Sequence, residues 1–114
     1  MHVFIVDDEP DLVVLTTAFL KKHGYRVSSS NAVKEAREKL INANFDVCLL
    51  DVHLPDGSGF ELAETIMHDQ KKARIIMMSA YDDVAEELRQ HPEIKKFIKK
   101  PFRQIEVLNA IRQA

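Results

Sequence analysis

Two carboxylates stand side by side at Asp7 and Asp8, directly after the four apolar residues Val3 to Val6 in the stretch HVFIVDDEP. Adjacent like charges repel. A pair closing a buried segment is therefore either solvated, as at a helix N-terminus where the dipole favours acids, or holds something positive. Other apolar runs end in the same manner: VCLL is followed by Asp51, IIMM by Ser79, and the short Phe97–Ile98 segment by Lys99 and Lys100. Brought to one place, the three carboxylates would repel by about 4 kcal/mol per pair at ~4 Å and an effective dielectric near 20, so they must be protonated or share a cation. A donor set made only of oxygen suits Mg²⁺, which keeps several waters and accepts phosphate oxygens, whereas zinc would want histidine or cysteine. Mg²⁺ opposite a lysine makes a place for a phosphoryl group, and a carboxylate can be the nucleophile that takes it as an aspartyl phosphate. Asp51 is the candidate acceptor, with Asp7 and Asp8 serving the metal. Each residue alone also has a blander reading. Asp51 to Gly59 could be only a turn, given Pro55, Asp56 and Gly57, while Ser79 could be a helix cap and the lysines solvated.

That chemistry needs a fold that carries the ends of several apolar runs to one edge. Five strand candidates (Val3 to Val6, Tyr25 to Ser29, Val47 to Leu50, Ile75 to Met78 and Phe97 to Ile98) alternate with five helical segments (Pro10 to His23, Ala32 to Ala43, Gly59 to Asp69, Asp82 to Gln90 and Phe102 to Gln113). The unbroken runs VFIV, VCLL and IIMM suit strands covered on both faces. Strict strand–helix alternation with short connections implies parallel strands, right-handed crossovers and helices on both sides, a three-layer α/β sandwich. Sites in such sheets form outside the carboxyl ends of the strands, where the polar endings fall. Leu12, Leu15 and Phe19 share a face of the first helix, and Val33, Ala36 and Leu40 a face of the second. Pro10 suits a first helical turn, Asn31 an N-cap, and Gly24 a left-handed C-cap.

Composition narrows the class. A chain of 114 residues, 46% hydrophobic and 30% charged, makes one globular domain spanning residues 1–114. A net charge of −2 gives no electrostatic basis for direct nucleic acid binding or adhesion to an anionic membrane. The single cysteine, Cys48, cannot form an internal disulfide and reads as a small core residue. No apolar stretch approaches the ~20 residues a membrane span needs, and the N-terminus lacks a signal-peptide pattern. The expectation is a soluble, cytoplasmic protein.

Taken in order, VDDEPD, LLDVHLPDGSGFE, MMSAYDD and FIKKPF resemble the receiver domain of two-component response regulators, and the resemblance runs from His2 to Ala114. It implies a flavodoxin-like sheet in the order 2-1-3-4-5; a chemotaxis receiver is a known example of that order, which rests here on the resemblance alone. It implies that Asp51 accepts a phosphoryl group from a phosphohistidine on a histidine kinase or histidine phosphotransfer protein. Asp8 would bind Mg²⁺ directly and Asp7 chiefly through water. Asp51 and the backbone carbonyl of His53 would complete the protein ligands. Ser79 and Lys100 would contact phosphoryl oxygens. Lys100 rather than Lys99 is the match because it directly precedes Pro101, and that bond is cis in the family. Ser79 and Phe97 would form the switch, Ser79 moving toward the phosphoryl group and the Phe97 ring moving inward behind it. His53 and Tyr81 match the positions that modulate water access to the acyl phosphate.

By the same resemblance the protein is a phosphorelay signalling switch rather than a turnover enzyme, with self-catalysed phosphorylation and dephosphorylation left open. Its kinase partner would dock around Pro10 to Leu15, and its output would pass to a downstream protein or to an output domain not present in this sequence. A phosphatase with an aspartate nucleophile is the enzymatic rival, but such enzymes usually carry a second acid two residues on, where this chain has His53. A degenerate receiver, serving only for interaction, is opposed by the intact set Asp7, Asp8, Asp51, Ser79 and Lys100. One stretch departs from the family: RQHPEIKKF replaces the usual Gly-Ala turn before the fifth strand. Pro92 should end the fourth helix by His91, with no glycine cap. Lys95 and Lys96 make this surface, which the family uses for dimerisation, more basic. The lysine pairs at 21 and 22, 71 and 72, and 95 and 96 read as solvated faces.

Overall fold

The computed structural model describes residues 1–81 and 84–113. Strands β1 (His2–Val6), β2 (Arg26–Ser30), β3 (Val47–Asp51), β4 (Arg74–Ser79) and β5 (Lys96–Lys99) form one parallel sheet in the order β2-β1-β3-β4-β5. Helices α1 (Pro10–Lys22), α2 (Val33–Asn42), α3 (Gly59–Asp69), α4 (Ala85–Gln90) and α5 (Gln104–Gln113) connect and cover them. This is the flavodoxin-like three-layer arrangement expected above. Asp82 and Asp83, where the fourth helix was expected to begin, lie outside the described residues.

The unbroken apolar runs are buried on both sides because alternate side chains feed two cores. Phe4 and Val6 of β1 join Cys48, Leu50 and Met77 against α2 and α3, through Ala36, Leu62 and Ile66. Val3 and Ile5 join Leu49, Ile76 and Met78 against α1 and α5, through Leu20, Val107 and Ile111. Burying a side chain of this size contributes about 1.5–3 kcal/mol, so these runs fix the sheet and, with it, the height of each strand end.

Two expectations about helices need correcting. Leu15 is 62% exposed, and the buried positions of α1 are Thr16 and Leu20. The hydroxyl of Thr16 tolerates burial because the Gln104 side-chain amide of α5 donates to it at 3.1 Å. The inward face thus takes in Thr16 and Leu20 and leaves out Leu15, while Phe19 packs against the core as expected. Asn31 does not cap α2 either, since the N-cap is Ala32. The Asp56 carboxylate caps the helix from a distant turn, accepting from the Val33 and Lys34 N–H groups at 2.7 and 3.0 Å. Those two bonds pull the Asp56 pKa below its ordinary value. Gly24 does behave as expected: at φ +90 it follows α1, donating to the Lys21 carbonyl while Tyr25 donates to that of Leu20, a complete Schellman closure. The Val33, Ala36 and Leu40 face of α2 also packs inward.

Candidate functional site

Register explains why the polar endings meet. Val6 lies beside Leu50, so Asp7, one residue on, is level with Asp51. Asp51 lies beside Met78, and Ser79, the next residue of β4, lies beside Lys99. The Lys100 N–H then donates to the Ser79 carbonyl at 2.9 Å, carrying the β5 ladder one step past the sheet. Asp7, Asp51, Ser79 and Lys100 are all buried, whereas Asp8 is exposed at the rim. Each of Asp7, Asp8 and Asp51 offers a carboxylate oxygen within 4.8 Å of the others.

The Lys100 ammonium sits among the acids. Its Nζ lies 2.7 Å from Asp7 Oδ2 and 3.1 Å from Asp51 Oδ2, and it donates to Glu9 Oε1 at 2.9 Å. Burial works against the charged lysine, but its contacts with Asp7 and Glu9 and the charges of Asp7 and Asp51 outweigh it and raise the pKa. Lys100 therefore stays protonated. Burial and the neighbouring Asp7 charge push the Asp51 pKa above the usual carboxylate range, opposed by Lys100 and by the His53 N–H. Asp51 is only 6% exposed, and its Oδ1 is held by one long contact, the His53 N–H at 3.4 Å. The Asp7 Oδ1 accepts from the Glu9 N–H at 3.0 Å, while its buried Oδ2 faces the ammonium without an aligned hydrogen bond.

Around this centre lie the other expected residues. The buried Ser79 hydroxyl accepts from the Tyr81 N–H at 3.0 Å. The His53 and Tyr81 rings meet edge to face, centroids 4.6 Å apart, although both residues are exposed. Phe97 is half-buried against the α2–α3 side of the core, and the Lys100–Pro101 bond is cis.

A family model described as the response regulator receiver domain matches residues 3–112. The chain belongs to the response regulator receiver domain family. Among its relatives, the sensory transduction protein LytT of Enterococcus faecalis is 35% identical over 116 residues, covering 100% of this chain and 48% of that protein. The response regulator protein PilR of Pseudomonas aeruginosa is 43% identical over 77 residues, covering 68% of this chain and 17% of that protein. This receiver thus spans about half, or less, of the length of these curated relatives. Among solved structures, TrrA of Thermotoga maritima in complex with Mg²⁺–BeF superposes with a TM-score of 0.87 at 28% identity, over 98% of this chain and 96% of that one. A CheY-like receiver domain protein from Methanospirillum hungatei gives a TM-score of 0.91 at 26% identity, over 98% of this chain and 90% of that one.

The receiver's acid set fits a hard divalent cation. It is made of carboxylates alone, their oxygens converge, and the buried Asp7 Oδ2 has spare acceptor capacity. No described helix is long and apolar enough to cross a membrane.

Three contributors were not singled out from the sequence. Glu9 shares Lys100 with the two aspartates, and its only signal is a third acid after Asp7 and Asp8. Gly59 begins α3 with its backbone pressed onto Asp51: a Cβ there would stand 2.1 Å from the Asp51 carbonyl oxygen. Ser58 caps α3 in a reciprocal box with Glu61, readable in sequence as Ser-x-x-Glu. A two-stranded ladder, His53–Leu54 with Gly57–Ser58, lies between β3 and α3 where a plain turn was one reading.

Proposed function

We propose that Asp51 is the phosphoacceptor of a two-component phosphorelay, taking its phosphoryl group from a phosphohistidine on a kinase or phosphotransfer partner. An Asp51 carboxylate oxygen attacks phosphorus, the P–O bond forms as the P–N bond breaks, and the released imidazole nitrogen keeps the electron pair and takes a proton. The observation that carries this reading is the buried ammonium of Lys100, 3.1 Å from Asp51 and 2.7 Å from Asp7. A fixed cation beside a buried carboxylate neutralises charge on an arriving phosphoryl group without reorganising.

Asp8 directly, Asp7 chiefly through water, Asp51 and the His53 carbonyl would hold Mg²⁺. Bound there, the ion would neutralise charge on the phosphoryl oxygens. Transfer puts a doubly charged group where Lys100 now contacts Asp51, so the ammonium turns to a phosphoryl oxygen. The Ser79 hydroxyl, an acceptor for the Tyr81 N–H, donates to another oxygen and moves toward Asp51. The Phe97 ring follows into the vacated space and alters the α4–β5–α5 surface.

The test is acetyl phosphate with Mg²⁺, read by intact mass. A hydroxylamine-labile gain of one phosphoryl group should appear in the wild type and vanish in Asp51→Asn. Labelling that persists in that variant would refute the assignment. We further propose that the touching His53 and Tyr81 rings restrict water at the mouth. Dephosphorylation should then quicken roughly threefold in His53→Ala or Tyr81→Ala, a barrier change under ~1 kcal/mol. Unchanged rates would remove this role.

A further inference from the structure

On the opposite rim from the acids, the starts of β4 and β5 and the ends of α3 and α5 enclose a cavity of about 390 Å³. Small-molecule sites commonly measure ~300–1,000 Å³. The two rims are separated by the length of β4, about 16 Å at ~3.3 Å per residue. Met67, Ala73 and Ile75 line the cavity with apolar groups, and Ile75 is buried. Lys71, from the turn after α3, and Lys95 and Lys96, from the approach to β5, also line it.

In sequence these lysines read as two unrelated solvated pairs, yet the fold brings members of both to one opening. Among the described residues, none of the three takes part in an ion pair, and Glu93 is the only acid in the lining. Arg74 also lines the opening, and its guanidinium donates to the Met1 sulfur at 3.4 Å. A chain of net charge −2 thus concentrates positive charge around one apolar hollow. Cations converging on a low-dielectric wall focus the field there and draw anions to it. The acid rim carries its countercharge in Lys100; among the described lining residues of this cavity, Glu93 alone stands against Lys71, Lys95 and Lys96.

We propose that the cavity binds a small organic phosphate whose flat apolar body, such as a nucleobase, lies on Met67, Ala73 and Ile75 while its phosphate meets Lys71, Lys95 and Lys96. Inorganic phosphate would use the lysines and leave the floor wet. A neutral ring would fill the floor and leave the charges unmet. Only a molecule with both parts uses the whole cavity.

The test is an amide-resolved NMR titration of the full chain with adenosine monophosphate, with chelator present so that the acid rim takes no part. Separate titrations use adenosine and inorganic phosphate. Saturable shifts at Lys71, Ala73, Lys95 and Lys96 are expected, with a Kd below about 1 mM. Reversing charge in the double variant Lys95→Glu, Lys96→Glu should weaken binding roughly tenfold, and Lys71→Glu, on a separate turn, should weaken it too. Equal shifts with inorganic phosphate or with adenosine alone would overturn the proposal, as would no saturable shift with any of the three.

Discussion

Helices α3 and α4 each follow a strand that ends in a site residue, but they are anchored very differently. α3 runs for 11 residues, buries Gly59, Phe60, Leu62, Ala63 and Ile66, and opens with a full capping box. α4 runs for 6 residues, buries none of them, and its N-cap residue, Val84, makes no side-chain capping bond. Stability is distributed unevenly within folds, and segments with few buried contacts open at lower cost. On the proposed reading, the β3–α3 half would hold Asp51 in place, while the β4–α4 half would have the freedom that a surface rearrangement needs. A switch built this way would move its reporting side without loosening its chemistry.

The largest effect should come from removing the cation that holds the rigid half together. Lys100→Ala leaves Asp7 and Asp51 buried beside each other with no countercharge, which should cost about 3–5 kcal/mol in urea unfolding near pH 8. Excess Mg²⁺ should return part of that loss, because the same carboxylates then regain a positive partner. A loss under ~1 kcal/mol, insensitive to Mg²⁺, would mean the acids do not depend on the ammonium. Next is Gly59→Ala. Its Cβ would meet the Asp51 carbonyl oxygen at 2.1 Å, and backbone cannot rotate aside as a side-chain tip can. The expected cost is about 2–3 kcal/mol, with slower phosphorylation as Asp51 shifts. An alanine at the exposed Gln90 of α4 should change stability by less than ~0.5 kcal/mol, and equal effects at both places would erase the contrast between the halves.

The sequence made the frame of this contrast legible because three strands are apolar throughout and end in polar residues of useful type. Strand order rested on resemblance to a known family, and the register then placed Asp7, Asp51, Ser79 and Lys100 together as expected. Long-range polar pairing was not legible. Thr16 is buried in place of an apolar neighbour because of Gln104, 88 residues away. Asp56 displaced Asn31 as the cap of α2 from 23 residues away. Glu9 looks like a solvated neighbour of two aspartates until Lys100, 91 residues on, proves to reach it. Periodicity reports which face is oily, and it carries no information about which distant polar group will satisfy a buried one. The anchoring of α4 failed to show for the same reason: the helix ends by His91, before Pro92, as expected, but its closure adds a side chain to the His91 N–H bond to the Leu88 carbonyl.

That side chain is His91, and it gives the smallest and most pH-sensitive effect. Nδ1 lies 2.8 Å from the Glu87 carbonyl oxygen, Nε2 lies 2.9 Å from Glu64 Oε1 on α3, and the ring stacks on Phe60. Both partners are acceptors, so both nitrogens must carry protons, and the arrangement belongs to the imidazolium. The Glu64 hydrogen bond first, then that of the Glu87 carbonyl, raises the His91 pKa against a smaller opposing effect of burial. Because the folded-state pKa is raised, this stabilisation is fully present below the ordinary histidine value near ~6.5 and is lost as pH rises through the folded value. With the side chain only 14% exposed, the tether should contribute about 0.5–1 kcal/mol. Comparing wild type with His91→Gln by urea unfolding, the difference should be larger near pH 6 than near pH 9. Amide protection factors, corrected for the base-catalysed intrinsic rate, should fall at Leu88 and His91 over the same interval, while those of α3 should not. A difference independent of pH would show that the ring acts by stacking alone, and α4 would then be held by packing rather than by a proton.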